Sequence, residues 1–269
     1  MQFITRSGAT LYNGSDVFRF AGVNCYWLGL SDQVSPGNPT NPDYPTRAQI
    51  DDALATAKEM GCTVVRAHTL GISVGNAKSV WPTLRNMNIA AFNMMDYAIY
   101  KAGLLGLRLI IPLVDSHTYY HGGMKTFTDW EGLTNSSSLP EAEKVFFYTH
   151  SKVIDDFKNY VSTILHHVNQ YGNPRLAYKN DPTIMAWESG NELQPLSSSS
   201  TNLVAYANWL TTIANYIKGI DSQHLIMDGT TGGILPGNLS IAAVDIYTNH
   251  FYPPYVSQVT ADTNATTRA

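Results

Sequence analysis

The sequence predicts an α/β protein, a (β/α)8 TIM barrel with about six of its eight strand–helix units present, forming a single domain over residues 1–269. Three observations lead there. Short runs rich in β-branched and aromatic residues alternate with longer stretches of helical period, the pattern of strands joined by crossover helices around a parallel sheet. A chain of 269 residues fits one barrel. Loops bearing proline and glycine follow the strand ends, the side on which a barrel gathers its functional loops.

Six strands are expected, at residues 20–27, 63–69, 108–115, 183–187, 224–228 and 245–252. Between the first two, Ile50, Leu54, Ala57 and Met60 recur at helical spacing, which predicts a helix over residues 51–60 closed by Gly61. Comparable helices are expected over 90–102, 152–169 and 202–218, each feeding a strand within a few residues as a right-handed crossover requires. Residues 31–44 and 117–140 read as loops over the active face, and 197–200 as a polar loop tip. Too few residues follow Tyr252 for two further units, so the barrel is expected to stop short of closure. That leaves the first and sixth strands as open edges, which favour poor solubility or pairing with another chain.

Hydrophobic residues make up 44% of the chain and charged residues only 14%, against roughly 25% in ordinary soluble domains. The surface must therefore rely on Ser, Thr, Asn, Gln and Tyr. With 16 Tyr and 5 Trp, this composition suits a protein that handles sugars, because aromatic faces stack on pyranose rings and amides bond to hydroxyls. A net charge of −4 lacks the basic footprint of a nucleic-acid binder. The longest apolar runs, such as residues 107–114, are broken by Arg108 and Pro112 and fall far short of the ~20 residues of a membrane span. Neither nucleic acid nor membrane is an expected partner.

A secreted location is expected, with its leader outside this sequence, because Met1 to Arg6 shows no apolar core or cleavage site. Sequons begin at Asn13, Asn135, Asn238 and Asn264, although a chain this rich in Asn, Ser and Thr produces several by chance. Cys25 and Cys62 fall at opposite ends of neighbouring strands, which argues against a disulfide.

The fourth strand runs into Trp187-Glu188-Ser189-Gly190-Asn191-Glu192. A carboxylic acid preceded by an amide at the C-terminal end of a barrel strand is where a glycosidase needs its proton donor, with the amide free to bond a sugar hydroxyl. The alternative is a pair of loop residues capping the next helix. Glu188 has the same strand parity but lies deeper, as a buried partner for Arg66. His68 points into the barrel mouth, either to touch substrate or as a core histidine held by a carbonyl.

Asp115, His117 and His121 are ligand types for zinc. The first strand, however, offers Asn24 and Tyr26 where metal-dependent barrel hydrolases place two histidines, and His117 to His121 lies on a glycine-rich loop. No metal and no cofactor is expected. Trp27 leads the candidates for stacking on a sugar ring, with Tyr26, Tyr119, Tyr120 and Trp130 behind it. Trp187 and Trp209 read as structural. Gly122-Gly123 and residues 229–233 lack the lysine and spacing of a phosphate loop and read as turns.

The segments Phe20-Ala21-Gly22-Val23-Asn24-Cys25-Tyr26-Trp27, Val64-Val65-Arg66-Ala67-His68-Thr69, Ala186 to Glu192, and His250-Phe251-Tyr252-Pro253 resemble, in order and spacing, glycoside hydrolase family 5. The likeness runs from about residue 3 to the end. It is nearest to the mannanase-like members, whose Trp-Glu-x-x-Asn-Glu-Leu motif matches Trp187 to Leu193. The resemblance implies retaining hydrolysis of a β-1,4-linked polysaccharide, an endo-β-1,4-mannanase before another β-glycanase such as a β-glucanase, or else a non-catalytic carbohydrate-binding paralogue. It assigns Glu192 as the acid/base, Asn191 to the 2-hydroxyl, Arg66 to positioning and ionising the nucleophile, and His250 with Tyr252 to the cleft wall. In this scheme a second carboxylate lies about 5 Å from the acid. The family's nucleophile is a glutamate after the seventh strand, and no glutamate follows Glu192 here, so the chain alone is expected not to turn over.

Overall fold

A computed structural model describes residues 1–32, 41–134 and 143–250. It opens with an element the periodicity did not announce, an antiparallel meander of β1 (Ile4–Ser7), β2 (Thr10–Asn13) and β3 (Asp16–Phe18). The β2–β3 turn places Asn13 opposite Asp16, with Gly14 between them at φ 66°. The two loop residues are therefore Gly14-Ser15, a hairpin signal in the sequence, and they sit inside what also reads as a sequon.

The parallel sheet follows in chain order, β4 (Gly22–Asn24), β5 (Val64–Arg66), β6 (Arg108–Pro112), β7 (Ile184–Glu188) and β8 (Leu225–Met227), each paired with the next. Five of the six expected strands therefore form a ladder, each largely within its expected range. The sixth is reduced, among the described residues, to one parallel bridge between Met227 and Ile246. Its far end, including Tyr252, lies outside the described residues. The strands are short because the ladder continues past their ends as single bonds, such as Cys25 N–H to Arg66 O at 2.9 Å and Ala67 N–H to Ile110 O at 3.0 Å.

Side-chain parity then divides the sheet into two faces. Val64, Ile110, Ala186, Leu225 and Met227 meet inside the barrel together with Ile4 of the meander. Val23, Cys25, Val65, Ala67, Leu109, Ile111, Trp187 and Ile226 face outward into the larger core beneath the helices. A register shift at Leu109/Ile110 keeps Ala186 and Glu188 on the inner side. At the floor, Arg108 donates Nη2–H to Asn13 Oδ1 at 3.0 Å and Nη1–H to the carbonyls of Gln2 and Pro182, which ties the meander across the bottom.

The helices are α1 (Arg47–Glu59), α2 (Phe92–Leu104), α3 (Met124–Trp130), α4 (Val145–Thr149), α5 (Ser151–His166) and α6 (Ser200–Ile220). Helix α1 starts earlier than its apolar period because Thr46 and Gln49 form a capping box. Its buried stripe is Ile50, Leu54 and Ala57; Met60, expected on that stripe, is 67% exposed because the helix has already ended. Helices α3 and α4 replace part of the expected loop over 117–140 and the stretch after it. They pack an aromatic cluster of Phe127, Phe147, Phe157 and Trp209 against α5 and α6, and each such fully buried side chain contributes about 1.5–3 kcal/mol. Trp187 and Trp209 are buried, as expected of structural residues. Both cysteines are free thiols, and burial pushes Cys25 up to about 11. No helix among the described residues is long and apolar enough to cross a membrane.

Candidate active site

The C-terminal ends of the parallel strands open into a cleft of about 900 Å³. Its residues come from every strand. Asn24 and Tyr26 follow β4, Arg66 and His68 follow β5, Asp115 to His121 follow β6, Asn191 and Glu192 follow β7, and residues 246–250 follow β8. Two bridges outside the strands set the fourth strand end. Asn191 pairs with Asp115, and Leu193 with Thr230. Glu192 is held between them at φ 54°, a left-handed conformation that costs a non-glycine residue about 1–2 kcal/mol. Glycine makes that packing possible, since a Cβ on Gly229, itself at φ +69°, would lie 1.8 Å from the carbonyl oxygen of Gly190.

Arg66 organises the floor of the cleft. Its fork donates to Glu188 at 2.7 Å (Nε to Oε2) and 2.6 Å (Nη2 to Oε1), with the Glu188 side chain fully buried. The expectation of Glu188 as a buried partner is therefore met. Nη2 also donates to Asn191 Oδ1 at 2.9 Å, and Nη1 approaches His68 Nε2 at 3.1 Å. Burial alone would weaken the hold on the Arg66 proton, but the Glu188 charge and its hydrogen bonds outweigh that and raise its proton affinity. His68 responds in the opposite sense. Burial, then the neighbouring guanidinium, lowers it from 6.5 to about 4, so the ring is neutral. Since Arg66 is the donor, Nε2 accepts and the proton sits on Nδ1, which has no partner among the described residues.

Asp115 supports the same shelf. It accepts Asn191 Nδ2–H at 3.0 Å and His117 N–H at 2.9 Å on Oδ1, while Oδ2 lies 3.0 Å from His121 Nε2. Burial pushes Asp115 up, but the His121 hydrogen bond and charge and the two N–H donors hold it below the ordinary carboxylate value. The three residues weighed as metal ligands thus split: Asp115 and His121 pair with each other, whereas His117 turns to Glu192. Among the described residues no cluster of three such side chains has metal-site geometry.

Both carboxyl oxygens of Glu192 contact imidazoles. Oε2 lies 2.7 Å from His117 Nε2 and Oε1 lies 3.0 Å from His250 Nδ1. The cleft brings together Arg66, His68, Asn191, Glu192 and His250 from the sequence reading. Trp27 is a correction. It packs partly buried against the outer core, because parity turns Val23, Cys25 and Trp27 outward while Asn24 and Tyr26 face the cleft. Trp130 likewise packs on Trp81 and Phe127. Tyr26, Tyr119 and Tyr120 do line the cleft, as does Phe20. His117 was read only as a possible ligand; its position two residues beyond Asp115, on the strand beside the one bearing Glu192, was the available signal.

The family description "GH family 5 beta-mannosidase-like" matches residues 1–244. Mannan endo-1,4-beta-mannosidase 1 of Arabidopsis thaliana is 30% identical over 264 residues, which covers 93% of this chain and 58% of that protein. The chain spans about half the length of the curated relatives it matches. Among solved structures, the endo-1,4-beta-mannanase of Rhizomucor miehei superposes with a TM-score of 0.78 at 25% identity, over 96% of this chain and 73% of that one. The endo-beta-1,4-mannanase of Thermotoga petrophila gives 0.73 at 26% identity, over 90% of this chain and 54% of that one. Barrel, cleft and sequence agree, and the chain belongs to glycoside hydrolase family 5, among its beta-mannosidase-like members.

Proposed function

We propose that this cleft is the acid/base half of a retaining glycosidase acting on β-1,4-linked mannan, with Glu192 as the proton donor. The observation that carries the reading is the placement of Glu192 at the end of the fourth parallel strand, beside Asn191, on a shelf fixed by Arg66 and Asp115. That is where a barrel puts a reacting group. In the reaction, Glu192 protonates the glycosidic oxygen as the bond to the anomeric carbon breaks, and later takes a proton from the attacking water. Asn191 has its Oδ1 occupied by Arg66 and one Nδ2 proton by Asp115, which orients the other proton for a sugar hydroxyl. Tyr26, Tyr119 and Tyr120 offer ring faces and edges to the polymer. The names of the relatives support mannan over other β-glycans.

The nucleophile is proposed to lie outside the described residues. Glu188 is clamped by Arg66, Asp115 is fully engaged, and no glutamate follows Glu192 in the sequence. This chain by itself should therefore bind mannooligosaccharides without turning them over. We also propose that it works outside the cell, which suits a chain with only 14% charged residues. Of the sequons, Asn238 is 2% exposed, so glycan attachment is expected elsewhere.

The test is reducing-sugar release from mannan and from β-glucan, run on this chain and on the product of its full reading frame, each with a Glu192→Gln control. Activity on mannan in the longer product, silenced by Glu192→Gln, supports the reading. Absence of activity on every β-glycan in the longer product turns the protein into a carbohydrate-binding relative.

A further inference from the structure

Glu192 is unusual in having an imidazole nitrogen against each carboxyl oxygen. His117 and His250 are not equivalent there. The His117 side chain is 44% exposed and stands on the solvent side, whereas that of His250 is 20% exposed and that of Glu192 is 16% exposed. The His117 backbone is itself fixed, because its N–H donates to the buried Asp115. A carboxyl that gives up a proton and regains it once per cycle is served by a neighbouring group able to hold that proton, and His117, the more exposed of the two imidazoles, makes the shorter contact.

We propose that His117 and Glu192 hold one proton jointly across their 2.7 Å contact, so that His117 is the immediate reservoir from which Glu192 receives its acid proton. The inference rests on the hydrolase reading for its use in catalysis, but the pair itself does not. The resting site is an imidazolium–carboxylate pair that interconverts with neutral imidazole and carboxylic acid by moving the proton from Nε2 to Oε2. When a second carboxylate takes the anomeric carbon, the C–O bond breaks with its electron pair left on the glycosidic oxygen. The shared proton passes from Oε2 to that oxygen, leaving a neutral imidazole and a carboxylate. In the return half, the attacking water gives its proton to Oε2 and the pair is restored. Charge and protons balance with no further reactant.

The surroundings favour this sharing. The hydrogen bond to Glu192 raises the proton affinity of His117 above that of an ordinary imidazole; burial works against it, Asp115 adds to it and Lys144 opposes it. Tyr119 packs its ring 5.6 Å from that of His117. On the other side Glu192 faces His250 and the charge of Arg66. His117 is thus a positioning and proton-holding residue and not a bystander in the wall.

The test is an NMR titration of the histidine rings and the Glu192 carboxyl carbon in this chain, with His117→Gln used for assignment. The pair predicts a His117 midpoint above 6.5, a Glu192 carboxyl response at that same midpoint, and a His117 midpoint that falls back toward the ordinary value in Glu192→Gln. A Glu192 carboxyl carbon that is silent where His117 titrates overturns the proposal, and that reading needs no variant. An unchanged His117 midpoint in Glu192→Gln overturns it equally. Adding mannohexaose separates the two readings. If the coupled titration is present but no sugar shifts the His117 resonance, the mannan reading fails and the proton pair stands.

Discussion

Arg66 and its neighbours show how one buried cation sets the charge state of a cleft. Its guanidinium neutralises Glu188, orients Asn191 and adds to the burial that keeps His68 uncharged. Removing one partner of such a pair leaves the other buried and unpaired, so Glu188→Ala should cost about 3 kcal/mol in urea denaturation. The titratable groups give opposite slopes of stability with pH. His68 binds its proton less tightly folded than unfolded, so stability should fall as pH drops from 6.5 to about 4, and His68→Asn should flatten that window. Asp115, held below the ordinary carboxylate value, contributes stability present above that value and lost as pH falls through its lower folded one. His117 acts the other way, since its raised affinity is stabilising below 6.5 and lost as pH rises through its folded value. The pairing of Glu188 with Arg66 was legible because strand parity places both inside the barrel. The contact of His117 with Glu192 was legible only in part, because neighbouring strand ends put both at the cleft but spacing along two separate strands does not give the distance between them.

At the scale of elements, the sequence read best where a period lasted three turns or more. Helices α1, α2, α5 and α6 lie close to their expected ranges, whereas α3 and α4 have only seven and five residues, too short to show a repeat. The capping box explains why α1 begins at Arg47, before its apolar stripe. Thr46→Ala should therefore lower stability by about 1 kcal/mol. The junction after β8 is more demanding. Gly229→Ala adds a methyl group against the Gly190 carbonyl at a positive φ, and should destabilise by about 2 kcal/mol or more while disturbing the strand end that bears Glu192. A melting temperature within a degree of the parent would show that the two turns do not need this close approach. Trp27 illustrates the complementary error: its chemistry suited a sugar platform, but a one-residue step in parity decides which face a side chain joins.

Across the whole molecule, the barrel is floored as well as topped. The meander places Ile4 inside the barrel with 1% exposure, and Arg108 ties Asn13 and Gln2 beneath the sheet. Ile4→Ala should cost about 2–4 kcal/mol in global stability, a larger loss than an N-terminal strand of ordinary exposure would show. The fold class and the C-terminal location of the cleft followed from alternation alone, while the floor went unread because its strands are only three or four residues long.

The most direct test of Glu192 as the proton donor compares leaving groups in the product of the full reading frame. An acid catalyst matters for an alcohol that leaves badly and little for one that leaves as a stable phenolate. Glu192→Ala should slow hydrolysis of mannohexaose by about 10²–10⁴-fold or more yet leave the first step on a dinitrophenyl β-mannoside nearly intact. Equal loss on both substrates would contradict the assignment, and would place the proton donor elsewhere in the cleft.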